Sequence, residues 1–400
     1  MIAYDPFDCS NEGLYDLYAR LRDDAPVHWA EQTGTFVLSR YDDVLWAMGE
    51  TELLSSDAMR GVLMNQPIGS GKTRLPREDF MGMIVSVDPP DHTTLRRIVN
   101  RSFTPRRMQD WQEHIDQVAR EFVGAAAPGD PFDVVSGLAA PLPVRVICAM
   151  VGADPEEADK FREWADALTR VQTGSARSTG LSNDEATAMF ALAADLGMRI
   201  DDRHDNPRDD LLTSLVRAAD EDTLTRGEAV GFAALLLFAG TETTTNLIGN
   251  AVAALLRHPD ELKRCQTDPA RIDKVVEETL RWESPVQYVF RRTTEPVERH
   301  GVEMPVDSTV TLLIGAANHD PRRWGDSAGA FDADRDTKGH VAFGFGPHFC
   351  LGAALARAET ETALRHLLPT ITANTLDDRD AWIDSMQFRG RRQLQVERAT

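Results

Sequence analysis

Cysteine is scarce in this chain of 400 residues. The four present, Cys9, Cys148, Cys265 and Cys350, form no C-x-x-C pair and lack the spacing of a disulfide framework. That excludes a small disulfide-stapled secreted scaffold and fits a reducing cytoplasm. Basic charge is also short, with 43 Lys and Arg against 64 Asp and Glu and a net charge of -21. General nucleic-acid binding needs a basic face to neutralise phosphates, so none is expected. Long hydrophobic runs are missing: Ala229 to Gly240 is the longest and is too short to cross a bilayer. The segment from Met1 to Asp8 has neither a basic region nor an apolar core, and is read as neither signal peptide nor membrane anchor. Length alone allows two or three domains or one large core, and no repeat of fixed period and no Pro- or Ser-rich linker long enough to separate domains is seen within residues 1–400.

What remains is ordinary globular material, 42% apolar and 27% charged. Helical periodicity covers about 13–23, 93–102, 108–124, 155–170, 184–203, 227–257, 272–282 and 352–367. Strand-like runs fall at about 27–40, 286–294, 297–314 and 393–397. The expected fold class is mainly α with small β-sheets. Ala58 to Asp79 and Gln172 to Asn183 read as loops. Gly71-Lys72-Thr73 ends like a phosphate-binding loop, but Gln66 stands where that motif needs its first glycine, which argues against a nucleotide site.

Cys350 carries the chemistry. It sits in Phe343-Gly344-Phe345-Gly346-Pro347-His348-Phe349-Cys350-Leu351-Gly352, just before a helical run from Ala353. A thiolate is a strong, soft iron ligand. Glycines strip side chains from a loop that must press its backbone against something flat. Helix-end dipoles favour the ionised thiol. The segment resembles the haem-binding signature of the cytochrome P450 family, Phe-x-x-Gly-x-(Arg/His)-x-Cys-x-Gly, at every specified position. The resemblance makes Cys350 the axial iron ligand and His348 a hydrogen-bond partner of a haem propionate. It also sets Phe343, Gly344 and Gly352 against the haem.

Other segments extend the likeness. Glu278-Thr279-Leu280-Arg281 places an acid and a base on one helix face. It resembles the family's Glu-x-x-Arg helix, which implies a buried structural network behind the haem. Asp88-Pro89-Pro90-Asp91-His92-Thr93-Thr94-Leu95-Arg96 resembles a family segment in which His92 and Arg96 hold propionates, with Arg291 as a third partner. Adjacent strand residues face opposite sides, so Arg292 is the rival to Arg291. Ala239-Gly240-Thr241-Glu242-Thr243 interrupts the most apolar helix, where glycine and threonine hydroxyls can loosen backbone hydrogen bonding. It resembles the family's Ala-Gly-x-(Asp/Glu)-Thr pattern. Ala239 and Gly240 then lie against the haem, Glu242 is the acid of a proton relay, and Thr243 is its alcohol partner.

The resemblance thus implies a cytochrome P450 fold, a single large domain enclosing haem b between the helix of Glu242 and the loop of Cys350. The activity implied is hydroxylation of a small to medium hydrophobic molecule with O2. Retention of Glu242 and Thr243 favours reductive oxygen activation over its alternatives, a peroxide-driven peroxygenase and a non-catalytic haem-thiolate ligand binder. No flavin or iron–sulfur module is evident, so electrons are expected from a ferredoxin and its NAD(P)H-dependent reductase. The docking face is expected at Arg96, Arg97, Arg101, Arg106 and Arg107. Pocket residues implied by family position are Met83, Ile84, Val85, Leu235, Phe238, Ala239, Val286, Gln287, Tyr288, Val289, Met386 and Gln387.

Overall fold

The computed structural model describes residues 4, 13–58, 84–100, 103–172, 182–220, 224–372, 382–385 and 387–399. Met83, Met386, Arg101, Cys9, the Gly71-Lys72-Thr73 run and most of both expected loops lie outside them. Two compact units share the chain: Met1–Leu54 with Trp111–Leu142 and Thr243–Thr400, and Ser55–Asp110 with Pro143–Glu242.

The first unit holds α1 (Leu14–Asp24), β1 (Val27–Ala30), β2 (Thr35–Leu38) and α2 (Tyr41–Gly49). Next in chain order come β3 (Leu54–Ser55), α3 (Asp91–Asn100), α4 (Pro105–Gly124), β4 (Pro131–Asp133), α5 (Pro141–Met150), α6 (Ala158–Gln172), α7 (Asn183–Asp205) and α8 (Leu211–Asp220). The long helix α9 (Arg226–Arg257) is followed by α10 (Pro259–Thr267), α11 (Ile272–Trp282), β5 (Tyr288–Thr293), β6 (Val297–Arg299), β7 (Val302–Met304) and β8 (Thr309–Leu313). After short helical turns at Ile314–Ala317 and Pro321–Trp324 come α12 (Ala353–Leu367) and β9 (Gln395–Glu397). The sheets are small, the largest ordered β1-β2-β8-β5-β3, with β2 parallel and β5 antiparallel to β8.

The helices begin where the sequence supplies caps. Thr225 and Glu228 form a reciprocal capping box at the start of α9, Thr225 N donating to Glu228 Oε2 at 2.7 Å and Glu228 N to Thr225 Oγ1 at 3.1 Å. Ser182 and Glu185 do the same for α7. Helices α5 and α10, which lie outside the periodic stretches, each open on proline, Pro141 and Pro259. Proline at the first helical position has no amide to lose there and is preset for helical φ. Core packing in the first unit lies under the sheet, where Leu38, Met48, Leu54, Val310, Leu312 and Ile314 are buried together.

Helix α9 also corrects an expectation. It runs unbroken through Gly240 and the threonines. The hydroxyl back-bonding is present, Thr241 Oγ1 donating to the carbonyls of Leu237 at 2.7 Å and Phe238 at 3.3 Å, but it decorates the ladder without breaking it.

Candidate active site around the cysteine loop

The Cys350 loop is built by backbone. Cys350 N donates to Phe343 O at 2.8 Å, Phe349 N to Gly346 O at 3.1 Å and Gly344 N to Val341 O at 2.9 Å. These bonds curl the chain so that Cys350 emerges just ahead of Gly352, the residue that precedes α12. Gly344 and Gly346 adopt φ of 71° and 72°, the left-handed region that side chains resist. At Gly346 a Cβ would also stand 3.1 Å from Met48 O and 3.2 Å from Gly49 Cα, so the loop lies directly on α2.

Behind the loop, Glu278 and Arg281 are wholly buried. Arg281 Nε and Nη2 donate to Glu278 Oε2 and Oε1 at 2.8 and 2.6 Å. Its remaining hydrogens reach Asn318 O, Ala328 O and Ala330 O. Glu278 also accepts from Asp332 N at 2.9 Å. Every charge is thereby paired and hydrogen-bonded, the condition under which a buried ion pair is tolerated. The network reaches the loop through Asn318, whose Oδ1 accepts from Val341 N at 2.9 Å.

Strand β5 separates Arg291 from Arg292. Arg291 is 6% exposed, whereas Arg292 lies at the surface with Nη1 on Asp307 Oδ1 at 2.6 Å. The alternation of the strand therefore turns Arg291 inward. Of the expected pocket residues nearby, Tyr288 is buried and packs edge-on against Phe290, while Val286 and Val289 pack on the sheet core. Gln287 is buried, its Nε2 donating to Ser284 O at 2.8 Å and its Oε1 accepting from Tyr18 OH at 3.2 Å, so each end of the amide has a core partner. Gln387 contributes its carbonyl to Gln287 N at 2.7 Å.

In the second unit, His92 on α3 is 2% exposed. Burial, with the neighbouring charge of Arg96, lowers its pKa. Leu235, Phe238 and Ile84 are buried, and Val85 is exposed. Ala239, Gly240, Glu242 and Thr243 are partly buried along α9. His348 lies in the short helical turn Gly346–His348 of the cysteine loop.

One acid was missed by sequence reasoning. Glu359 on α12 is 1% exposed, and burial pushes its carboxyl up to about 8 despite a hydrogen bond from Thr244. Its Oε1 has no hydrogen-bond partner among the described residues. An acidic residue at an apolar helix position was the available signal, hidden in the run Ala353 to Glu359 that reads simply as helix.

A soft thiol on a glycine-framed loop at a helix start, with a buried cation on β5 of the same unit, is the donor chemistry that haem iron and its propionates need. The comparisons with known proteins agree. A Cytochrome P450 family profile matches residues 194–386. Cytochrome P450 107B1 of Saccharopolyspora erythraea is 34% identical over 404 residues, covering 99% of this chain and 97% of that protein. The chain belongs to the cytochrome P450 family. The vitamin D(3) 25-hydroxylase of Pseudonocardia autotrophica is 39% identical over 355 residues, 88% of this P450 and 84% of that enzyme. The solved structure of cytochrome P450 CYP109Q5 from Chondromyces apiculatus matches with a TM-score of 0.89 at 33% identity, covering 100% of this chain and 99% of that one. This P450 therefore has the expected fold, mainly α with small sheets, and is a haem monooxygenase. Among its described residues, no helix is long and apolar enough to cross a membrane.

Proposed function

We propose that this P450 binds haem b through Cys350 and hydroxylates a small to medium hydrophobic molecule, with electrons from a ferredoxin and its NAD(P)H-dependent reductase in the cytoplasm. One domain over residues 1–400 carries the whole activity, which the chain-long match to relatives supports. The observation that carries the reading is Cys350 held by its own amide on Phe343 O in a loop that only glycines can shape. Bound haem supplies the activation of O2 and the attack on the substrate.

The protein's part is ligation, charge and protons. Cys350 donates its thiolate. His348, Arg291, His92 and Arg96 meet the propionates. Phe343, Gly344, Gly352, Ala239 and Gly240 line the haem faces. Glu242 passes protons and Thr243 steadies their acceptor by hydrogen bonding. Ile84, Val85, Leu235, Phe238, Val286, Tyr288 and Val289 remain pocket candidates. The relatives span varied substrates, among them an erythromycin C-12 hydroxylase and a P450 solved with testosterone, which supports a hydrophobic substrate without choosing one.

The deciding experiment is the absorption spectrum of the dithionite-reduced protein under carbon monoxide. A far red-shifted Soret band in the wild type that Cys350→Ala abolishes is the expected result. A band like that of histidine-ligated proteins in both would overturn the assignment of Cys350. Turnover should need the ferredoxin chain and fall in Thr243→Ala; efficient turnover on hydrogen peroxide alone, indifferent to Thr243→Ala, would make the protein a peroxygenase.

A further inference from the structure

A second charge network touches the cysteine loop and is separate from Glu278 and Arg281. Glu277, next to Glu278 on α11, points to a different set of partners. It accepts from Arg357 Nε and from Arg357 Nη2, the latter at 3.1 Å, and it lies 3.2 Å from His340 Nε2. His340 Nδ1 accepts from Ala342 N at 3.2 Å, which leaves Nε2 to carry the hydrogen toward Glu277. Burial alone would raise the Glu277 carboxyl. The bonds from His340 and Arg357 outweigh it and bring the group down to about 2.

Three segments meet here. Arg357 belongs to α12, the helix that follows Cys350, and His340 begins the stretch leading into the loop. The Arg357 guanidinium also lies over the Phe343 ring, 4.5 Å from its centroid. The carbonyl of Phe343 is the acceptor for the Cys350 amide. The ring is thus gripped on one side by a cation that is itself held in a bidentate fork, while its backbone holds the ligand residue.

The geometry points to Arg357, Glu277 and His340 as positioning residues that hold Phe343, and through it the Cys350 amide, so that the sulfur stays a thiolate ligand. The inference rests on Cys350 being that ligand. Arg357 stands above the ring while Glu277 holds its Nε and Nη2. Without the carboxylate, only the long bond from Nη1 to Ala353 O, at 3.4 Å, holds the guanidinium; it can leave the ring, and the loop loses the contact that keeps Phe343 O aimed at Cys350 N. A lysine at 357 keeps the charge but cannot form the fork.

The test uses the haem-loaded protein as wild type, Glu277→Gln and Arg357→Lys, reduced under carbon monoxide. The readout is the rate at which the far red-shifted band converts to the shorter-wavelength band of lost thiolate ligation, with far-ultraviolet circular dichroism followed in parallel. Both variants should start with the far-red band and convert faster, on the order of tenfold for loss of one charge-assisted bond, while the dichroism is unchanged. The double variant should add little to either single one. Conversion at the wild-type rate, or faster conversion only in step with loss of dichroism, would overturn the positioning role. If Glu277→Gln fails to fold, Arg357→Lys decides by the same criteria. A wild type without a far-red band would instead remove Cys350 as ligand, a failure distinct from unchanged variants.

Discussion

Arg291 and Arg292 are neighbours of one chemical kind that the fold sends to opposite fates. Only the pairing of β5 with β8, Arg291 opposite Val310 and Arg292 opposite Thr309, settles which is buried. Arg291→Ala is expected to weaken haem retention, read as the fraction of haem lost to apomyoglobin over time, whereas Arg292→Ala should match the wild type. Equal loss from both would mean that neither side chain is a propionate partner. Glu359 invites a second experiment. Its carboxyl is raised from 4.5 to about 8 in the fold, so between those values the folded state binds the extra proton and stability falls as pH rises. Glu359→Gln imitates the neutral acid and cannot titrate. The variant should therefore gain in thermal midpoint relative to wild type between about pH 5 and about pH 8; a constant offset would show that Glu359 is not the group holding the proton.

At the scale of elements, α11 shows how one amphipathic helix carries charge into a core. Ile272, Val275, Val276 and Leu280 form its apolar stripe, and Glu278 and Arg281 share the buried side. The pair was legible from spacing; its burial was implied by the family resemblance alone, because an acid and base at that spacing usually lie in solvent. Glu278→Gln would leave Arg281 charged and uncompensated, with an expected loss of about 3–5 kcal/mol in urea denaturation. By contrast Arg264→Gln, in the surface cluster with Glu261 and Asp334, should cost under about 1 kcal/mol. Similar losses from both would refute burial as the cause.

For the molecule as a whole, the net charge of -21 makes any site for an acidic electron donor local. Within the expected basic group Arg97, Arg106 and Arg107 are exposed, but Arg107 is ion-paired through both terminal nitrogens to Asp209, at 3.0 and 2.6 Å. Reduction by ferredoxin at low salt is expected to slow more in Arg106→Gln than in Arg107→Gln, measured by stopped-flow formation of the carbon monoxide complex. Indifference of both would place the docking surface elsewhere.

The sequence by itself determined the family and the mainly helical class, and it singled out Cys350 as the candidate ligand. A thiol loop, an acid–alcohol pair and a Glu-x-x-Arg helix are each contiguous in the chain, and their chemistry depends on local backbone and spacing. Tertiary structure decided what contact alone can decide. It showed which arginine of a strand pair is buried, that Gln287 serves the core, and that Glu359 is sealed from water. It also showed that Glu277, His340, Phe343 and Arg357 form one network from residues far apart in the chain. Burial and ion pairing are properties of neighbours in space, and no periodicity in a single segment records them.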